Sequence, residues 1–270
     1  MLKQRIITAL ILIPLVFAAL WYLPTWAIAL LMAALMLACA WEWSLFIPLQ
    51  GAGRVLYLAG AGGLMGLAHP ALFGAQLATP LLGLGLAWWL AAALWLQLYP
   101  RGFAANRPAA WLRGVIGYAA ILPCYVGFWQ LHSLPLGREL IVLLLFLVWA
   151  TDTGGYFAGK RFGHYKLAPM ISPNKTWEGL LGGVGLALLL ALLGNALVFH
   201  YSWLTAISLG LLVALISVVG DLMVSMFKRQ TGVKDTGNLF PGHGGALDRL
   251  DSMLSAAPVM MLLCLYWVVP

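Results

Sequence analysis

Charge is scarce in this sequence: Asp, Glu, Lys and Arg make up 9% of its 270 residues, against about 25% in an average soluble domain. With 63% hydrophobic residues and a mean hydropathy of +0.94, that scarcity excludes a water-soluble globular fold, which would have nowhere to put so much apolar surface. Cysteine is nearly missing too. Cys39, Cys124 and Cys264 lie far apart inside apolar runs and form no CxxC pair, which excludes a disulfide framework or a zinc site. There is no GxxxxGK[ST] loop and no dinucleotide-binding glycine fingerprint. Those absences remove two familiar phosphate cradles, but not nucleotide use, because a metal and lysines can do the same work. No internal repeat is visible, which speaks against an ion-coupled transporter built from repeated halves.

What fills the sequence is apolar runs. A membrane span needs about 20 mostly apolar residues, and nine stretches qualify: 6–23, 26–47, 55–68, 78–99, 113–132, 140–158, 179–199, 203–225 and 252–269. The first, behind Lys3 and Arg5, is longer than the core of a signal peptide, about 7–15 residues, and reads as a retained span. The third is short and glycine-rich. Backbone polar groups must pair internally in lipid, so each run should be a helix. The expectation is an all-α, polytopic membrane bundle of about nine transmembrane helices, folded as a single domain. Residues 1–132 would supply N-terminal spans, and 133–270 a half that carries the chemistry.

The charges orient it. With the N-terminus inside, inner segments hold Lys3, Arg5, Arg54, Arg101, Arg107, Arg113, Lys160, Arg161, Lys166, Lys175, Lys228, Arg229, Lys234 and Arg249. Only Arg138 of the 15 basic residues falls outside. Positive charge concentrates on cytoplasmic segments, so the N-terminus is expected in the cytoplasm and the C-terminus outside. The same rule accounts for a net charge of +7 without nucleic acid. Trp21, Tyr22, Trp26, Trp41, Trp43, Tyr99 and Trp111 fall near span ends, as an interfacial aromatic belt would. Gly179, Gly182, Gly183 and Gly185 open the seventh span and suggest close helix packing.

Two inner connections, 159–178 and 226–251, are long, polar and rich in Gly and Pro, and two polar loops on one face of an apolar bundle are where chemistry is expected. Three acids lie within or beside spans: Glu42, Asp152 and Asp221. An intramembrane carboxylate normally faces protein, water or a cation. Asp221 precedes Lys228 by seven residues and Asp152 precedes Lys160 by eight. Both acids thus sit roughly 10 Å deep at about 1.5 Å per residue, which suggests a shared polar cavity. A structural hydrogen bond is the alternative for Asp152 and the favoured reading for Glu42, around which no motif stands.

Residues 220–252 read GDLMVSMFKRQTGVKDTGNLFPGHGGALDRLDS. On a helix, Asp221, Ser225 and Lys228 share a face. A glycine- and proline-containing loop follows, and then a helix on which Asp248 and Asp251 share a face. Carboxylates beside Lys228, Arg229, Lys234 and Arg249 are what a metal–phosphate site requires: Mg²⁺ takes one or two carboxylates and completes its shell with water and substrate phosphates. The plainer reading of Asp248 and Asp251 alone, acids facing a helix N-terminus, does not explain the whole set.

The stretch SMFKRQTGVKDTGNLFPGHGGALDRLD resembles the signature of the phosphatidate cytidylyltransferases, or CDP-diacylglycerol synthases. The matching positions are Ser225, Lys228, Arg229, Lys234, Asp235, Pro241, His243, Gly244, Gly245, Asp248, Arg249 and Asp251. The segment WATDTGGYFAGKRFGHYKLAPMISPNKTWEG, residues 149–179, is similar to the family's second block, through Asp152, Tyr156, Gly159, Gly163, Ser172, Pro173, Lys175, Thr176, Trp177, Glu178 and Gly179. Elsewhere the likeness is confined to the span layout and the KQRIITALILIP opening. The resemblance implies a helical membrane enzyme of the cytoplasmic (inner) membrane, often a homodimer. It would use Mg²⁺, with a second, monovalent cation as an open alternative, and convert CTP and phosphatidate into CDP-diacylglycerol and pyrophosphate.

That reaction brings an anionic phosphate monoester against a polyanionic triphosphate. Catalysis should therefore consist of positioning and charge neutralisation. Asp221 and Asp248 are expected as Mg²⁺ ligands, with Asp251 in the same cluster as ligand or support. Lys228, Arg229 and Lys234 are expected on the CTP phosphates, and Lys175 and Arg249 on CTP or the lipid headgroup. His243 is expected to donate to phosphate or shape its loop. Ser172, Asn174 and Thr176 should order the chain around Lys175, and Ser225 belongs with the substrate-binding face. The nearest rival is a CTP-dependent lipid kinase, which would release CDP instead of pyrophosphate.

Overall fold

A computed structural model describes residues 2–99, 108–239 and 244–267, with side chains from Leu10 onward except Leu12. Nine α-helices account for most of it: α1 (Leu2–Tyr22), α2 (Thr25–Trp43), α3 (Ala52–Leu67), α4 (Gly74–Leu98), α5 (Ala110–Ser133), α6 (Gly137–Phe162), α7 (Trp177–Gly194), α8 (Trp203–Thr231) and α9 (Leu247–Trp267). Among the described residues, seven segments are long and apolar enough to cross a membrane: α2 with the short 3₁₀ turn behind it, α4, α5, α6, α7 with the π-helical turn behind it, α8 and α9. The chain is thus an all-α polytopic membrane protein. Helix α3, at 16 residues, falls just short of the roughly 17–25 that span a bilayer, in keeping with the short third run of the sequence.

The first polar connection is more ordered than a loop. Helix α6 runs on to Phe162, and the chain then forms an antiparallel hairpin, β1 (Lys166–Ala168) with β2 (Ser172–Thr176), pairing Lys166 with Thr176 and Ala168 with Ser172. Thr176 ends β2 and caps α7, its Oγ1 accepting from Gly179 N at 3.1 Å. That satisfies one of the N–H groups a helix start leaves unpaired. Lys175 is therefore held on a strand between two fixed ends.

Helices α5 and α9 form the centre, α9 packing on α8, α5 and α4, while α6 and α7 lie along each other. Glycine makes the α6–α7 contact. A Cβ on Gly154 would come within 2.7 Å of Gly182 O and 3.0 Å of Gly183 Cα, so the backbones meet without side chains between them. Gly179, Gly182 and Gly183 belong to this contact as expected, but Gly185 faces open space. Of the expected aromatic belt, Trp21, Tyr22, Trp26, Trp41 and Trp111 are exposed, whereas Trp43 and Tyr99 are buried. Trp43 is a core residue instead, its indole N–H donating to Arg113 O at 2.9 Å. A buried Trp needs such a partner. All three cysteines are buried and unpaired.

Candidate active site

The site is built where α8 ends and α9 begins. Gly232 closes α8 in the left-handed conformation at φ 74°, and its amide and that of Val233 return to Arg229 O and Lys228 O. Gly220 lets the two helices touch: a Cβ there would lie 2.5 Å from Asp251 O and would also strike the Ser255 hydroxyl. The absence of that Cβ brings the next residue, Asp221, level with the first turn of α9.

The start of α9 is held from a distance. The buried carboxylate of Glu42, on α2, accepts from Ala246 N at 2.9 Å, Leu247 N at 2.8 Å and the Thr236 hydroxyl at 2.8 Å. It sits at the positive end of the helix, where an anion is favoured, and it satisfies N–H groups that would otherwise be buried unpaired. A Cβ on either Gly237 or Gly245 would collide with this carboxylate, so both glycines are needed for its approach.

A cavity of about 310 Å³ opens at this junction. Its walls are Asp152 from α6, Asp221 and Lys228 from α8, and Asp248, Arg249 and Asp251 from α9; Asp235 and Ser252 complete it. The Lys228 ammonium donates to Asp248 Oδ1 at 2.9 Å, while Asp248 Oδ2 accepts from Thr236 N at 2.8 Å and Gly245 N at 3.0 Å. Asp221 is ion-paired through Oδ2 with Lys175, which reaches over from β2, and its Oδ1 accepts from the Ser225 hydroxyl at 3.2 Å. Asp251 Oδ1 accepts from Ser252 N at 2.8 Å. Two of the acids therefore already carry lysines, one from the neighbouring hairpin and one from α8.

Five carboxylates face three cations here, counting Lys175. Like charges this close disfavour one another's ionisation unless a cation compensates them. The donors are all hard oxygens, with no sulfur or imidazole in the lining, and that chemistry fits Mg²⁺ rather than zinc. Among the described residues no three acidic, His or Cys side chains already form a cage for an ion. Mg²⁺ does not need one, since it keeps several waters and takes ligands from phosphates.

The structure thus brings Asp221, Asp248, Asp251, Lys228 and Arg249 to one cavity, with Lys175 on Asp221. Asn174 and Lys175 line a second cavity of about 210 Å³ between the hairpin, α6, α7 and α8, and Asp152 is common to both. Ser225 is turned to Asp221. Arg229 lines neither cavity and donates to Ile171 O at 3.3 Å, tying α8 to the hairpin turn. Lys234 is exposed and Ser172 half-buried, both outside the two linings. His243 and Pro241 lie outside the described residues. The structural hydrogen bonding favoured for Glu42 is what the structure shows, but its partners, Thr236 among them, escaped the sequence, because that bond spans 194 positions. The one local trace was a pair of glycines flanking the loop.

Comparison with known proteins points to cytidylyl transfer. The family described as "Cytidylyltransferase family" matches residues 3–267. The chain is 43% identical to a phosphatidate cytidylyltransferase of Pseudomonas aeruginosa over 97% of both chains. It is 36% identical to one of Haemophilus influenzae over 96% of both. A phosphatidate cytidylyltransferase of Synechocystis is 42% identical across 57% of this chain and 56% of its own.

Proposed function

Since the chain belongs to the cytidylyltransferase family, we propose that it makes CDP-diacylglycerol from CTP and phosphatidate in the cytoplasmic (inner) membrane. The observation that carries this is end-to-end similarity to phosphatidate cytidylyltransferases in a chain whose acid–lysine cavity suits phosphate chemistry. A phosphate oxygen of phosphatidate attacks the α-phosphorus of CTP. A new P–O–P bond forms, the α–β bridge breaks, and pyrophosphate leaves with the bonding electrons. The nucleophile is already anionic at neutral pH, so no strong base is required of the protein.

What the residues must do is hold two anions together. Lys228 and Arg249, on the cavity wall, bind the triphosphate, with Arg229, Lys234 and His243 as further contacts as nucleotide fills the loop. Lys175 faces the lipid phosphate from the hairpin. Asp221, Asp248 and Asp251 would hold Mg²⁺, which supplies neutralisation of phosphate charge at the reacting phosphorus. Ser225 keeps Asp221 in its rotamer, and the Thr236 and Gly245 amides do the same for Asp248. Removing charge repulsion while fixing geometry is the main source of rate in phosphoryl transfer.

By the span pattern of the sequence, 14 of the 15 basic residues fall on inner segments, which supports an inward N-terminus and a site open to cytoplasmic CTP. With that orientation nine crossings leave the C-terminus outside, α1 and α3 adding to the seven long spans. Assembly as a homodimer is carried over from the family resemblance. The test is purified protein in phosphatidate-containing micelles with CTP and Mg²⁺. CDP-diacylglycerol and pyrophosphate should form in equal amounts. Release of CDP with a phosphorylated lipid would mark a kinase and contradict the proposal.

A further inference from the structure

The second cavity differs in kind from the first. Cavity one is walled by charged side chains and a serine. The second combines Asp152, Lys175 and Asn174 in its lining with Tyr156, Leu167, Leu180 and Val218. On α8, Val218 precedes Asp221 by three residues, so it lies on the same face about 4.5 Å farther from the loop end. Tyr156 belongs to the lining and is also 60% exposed, beside Phe157 at 65%. The cavity thus adjoins an exposed aromatic stretch of a spanning helix, α6. A nucleotide phosphate has no use for such a wall; a lipid with a charged head and an apolar body does.

From this juxtaposition we propose that the second cavity is the seat of the lipid phosphate monoester, resting on the cytidylyltransferase reading above. The phosphate lies on Lys175 and Asn174, the glycerol ester region lies against Tyr156, Leu180 and Val218, and the acyl chains remain outside. The size agrees. At about 210 Å³ the cavity is below the roughly 300–1,000 Å³ of pockets that enclose a drug-sized ligand, enough for a headgroup but not for a diacyl lipid. Lys175 lines this cavity while its ammonium reaches Asp221 in the other, so it sits on the wall across which the two phosphates must meet. Asp152, shared by both linings, keeps a second anion on that wall and favours Lys175 staying there. The hairpin thereby becomes the element that presents the lipid to the nucleotide.

Two residues off the charged wall test this, Val218 and Leu180. All three native cysteines are buried, so Val218→Cys or Leu180→Cys introduces a thiol that a maleimide can reach against a low background. Phosphatidate in mixed micelles should slow labelling strongly. CTP with Mg²⁺ should not, and glycerol 3-phosphate, which has the head without the chains, should protect only weakly. In parallel, Val218→Phe should raise the KM for phosphatidate about tenfold, the scale of one altered contact in an apolar pocket, and leave the KM for CTP unchanged. Protection by CTP instead, a rise in the CTP KM, or no protection by either substrate would overturn the assignment. A wild-type protein that makes no CDP-diacylglycerol would instead sink the reading of the reaction itself, so the two failures are distinguishable.

Discussion

Two buried acids on either side of one loop, Glu42 and Asp248, are used in opposite ways. Glu42 is satisfied entirely by neutral donors, two amides at the entry to α9 and the Thr236 hydroxyl from the loop behind α8. Asp248 takes two amides on one oxygen and a lysine ammonium on the other. The first arrangement fixes the backbone and has no oxygen facing the cavity. The second keeps its charge on the cavity wall, held by a partner that can turn toward another anion. A carboxylate locked to backbone builds the site, and one balanced by a lysine on the cavity wall is the kind that the proposed mechanism uses.

The comparison is broken most sharply at the working acids. Asp248→Asn and Asp221→Asn should each lower turnover by at least about a hundredfold, the scale seen when a charge-stabilising group is removed from a reaction centre. Thermal unfolding should stay near that of the parent. A smaller but still large effect is expected at Lys228→Ala, which leaves Asp248 without its cation: turnover falls and the KM for CTP rises, measured by initial rates at varied CTP. Lys228→Arg should recover part of it, though not all, since the guanidinium is a planar fork and the ammonium a compact charge.

Glu42→Ala should behave the other way round. It strands two amides and a hydroxyl in a buried setting, and should destabilise the fold by at least about 3 kcal/mol, given roughly 1–3 kcal/mol for each buried donor left unmade. Turnover per folded molecule should drop less than in the aspartate variants, and thermal unfolding alongside specific activity separates the two. The smallest effects test packing. Gly183→Ala, whose Cβ would strike Thr151 O, should lower the unfolding temperature by several degrees, whereas Gly185→Ala, facing open space, should leave it unchanged or slightly raised.

The helices were legible because lipid forces a simple rule on the chain. Runs at 140–158 and 203–225 became α6 and α8, each extended by a turn or more past its apolar limit, to Phe162 and Thr231. Hydropathy marks where lipid ends, not where the hydrogen bonds end. The acid cluster was legible from three- and four-residue spacing on α8 and α9. The hairpin was not, because Lys166–Ala168 and Ser172–Thr176 are too short and too polar to alternate visibly. Nor was the destination of Glu42 legible, since pairing between α2 and the start of α9 is a tertiary fact. Trp43 misled for the same reason: its place near a span end fitted the belt, but the bundle closes over it.

In the proposed mechanism Asp221 and Asp248 offer their oxygens to a divalent ion beside the reacting phosphates. Replacing either with cysteine exchanges a hard ligand for a soft one, and the native thiols are buried, away from added metal. CDP-diacylglycerol synthesis by Asp221→Cys and Asp248→Cys should collapse with Mg²⁺ alone and recover measurably when Cd²⁺ is added. The same addition should not improve the parent. Equal rates for parent and variants in Mg²⁺ would contradict the claim.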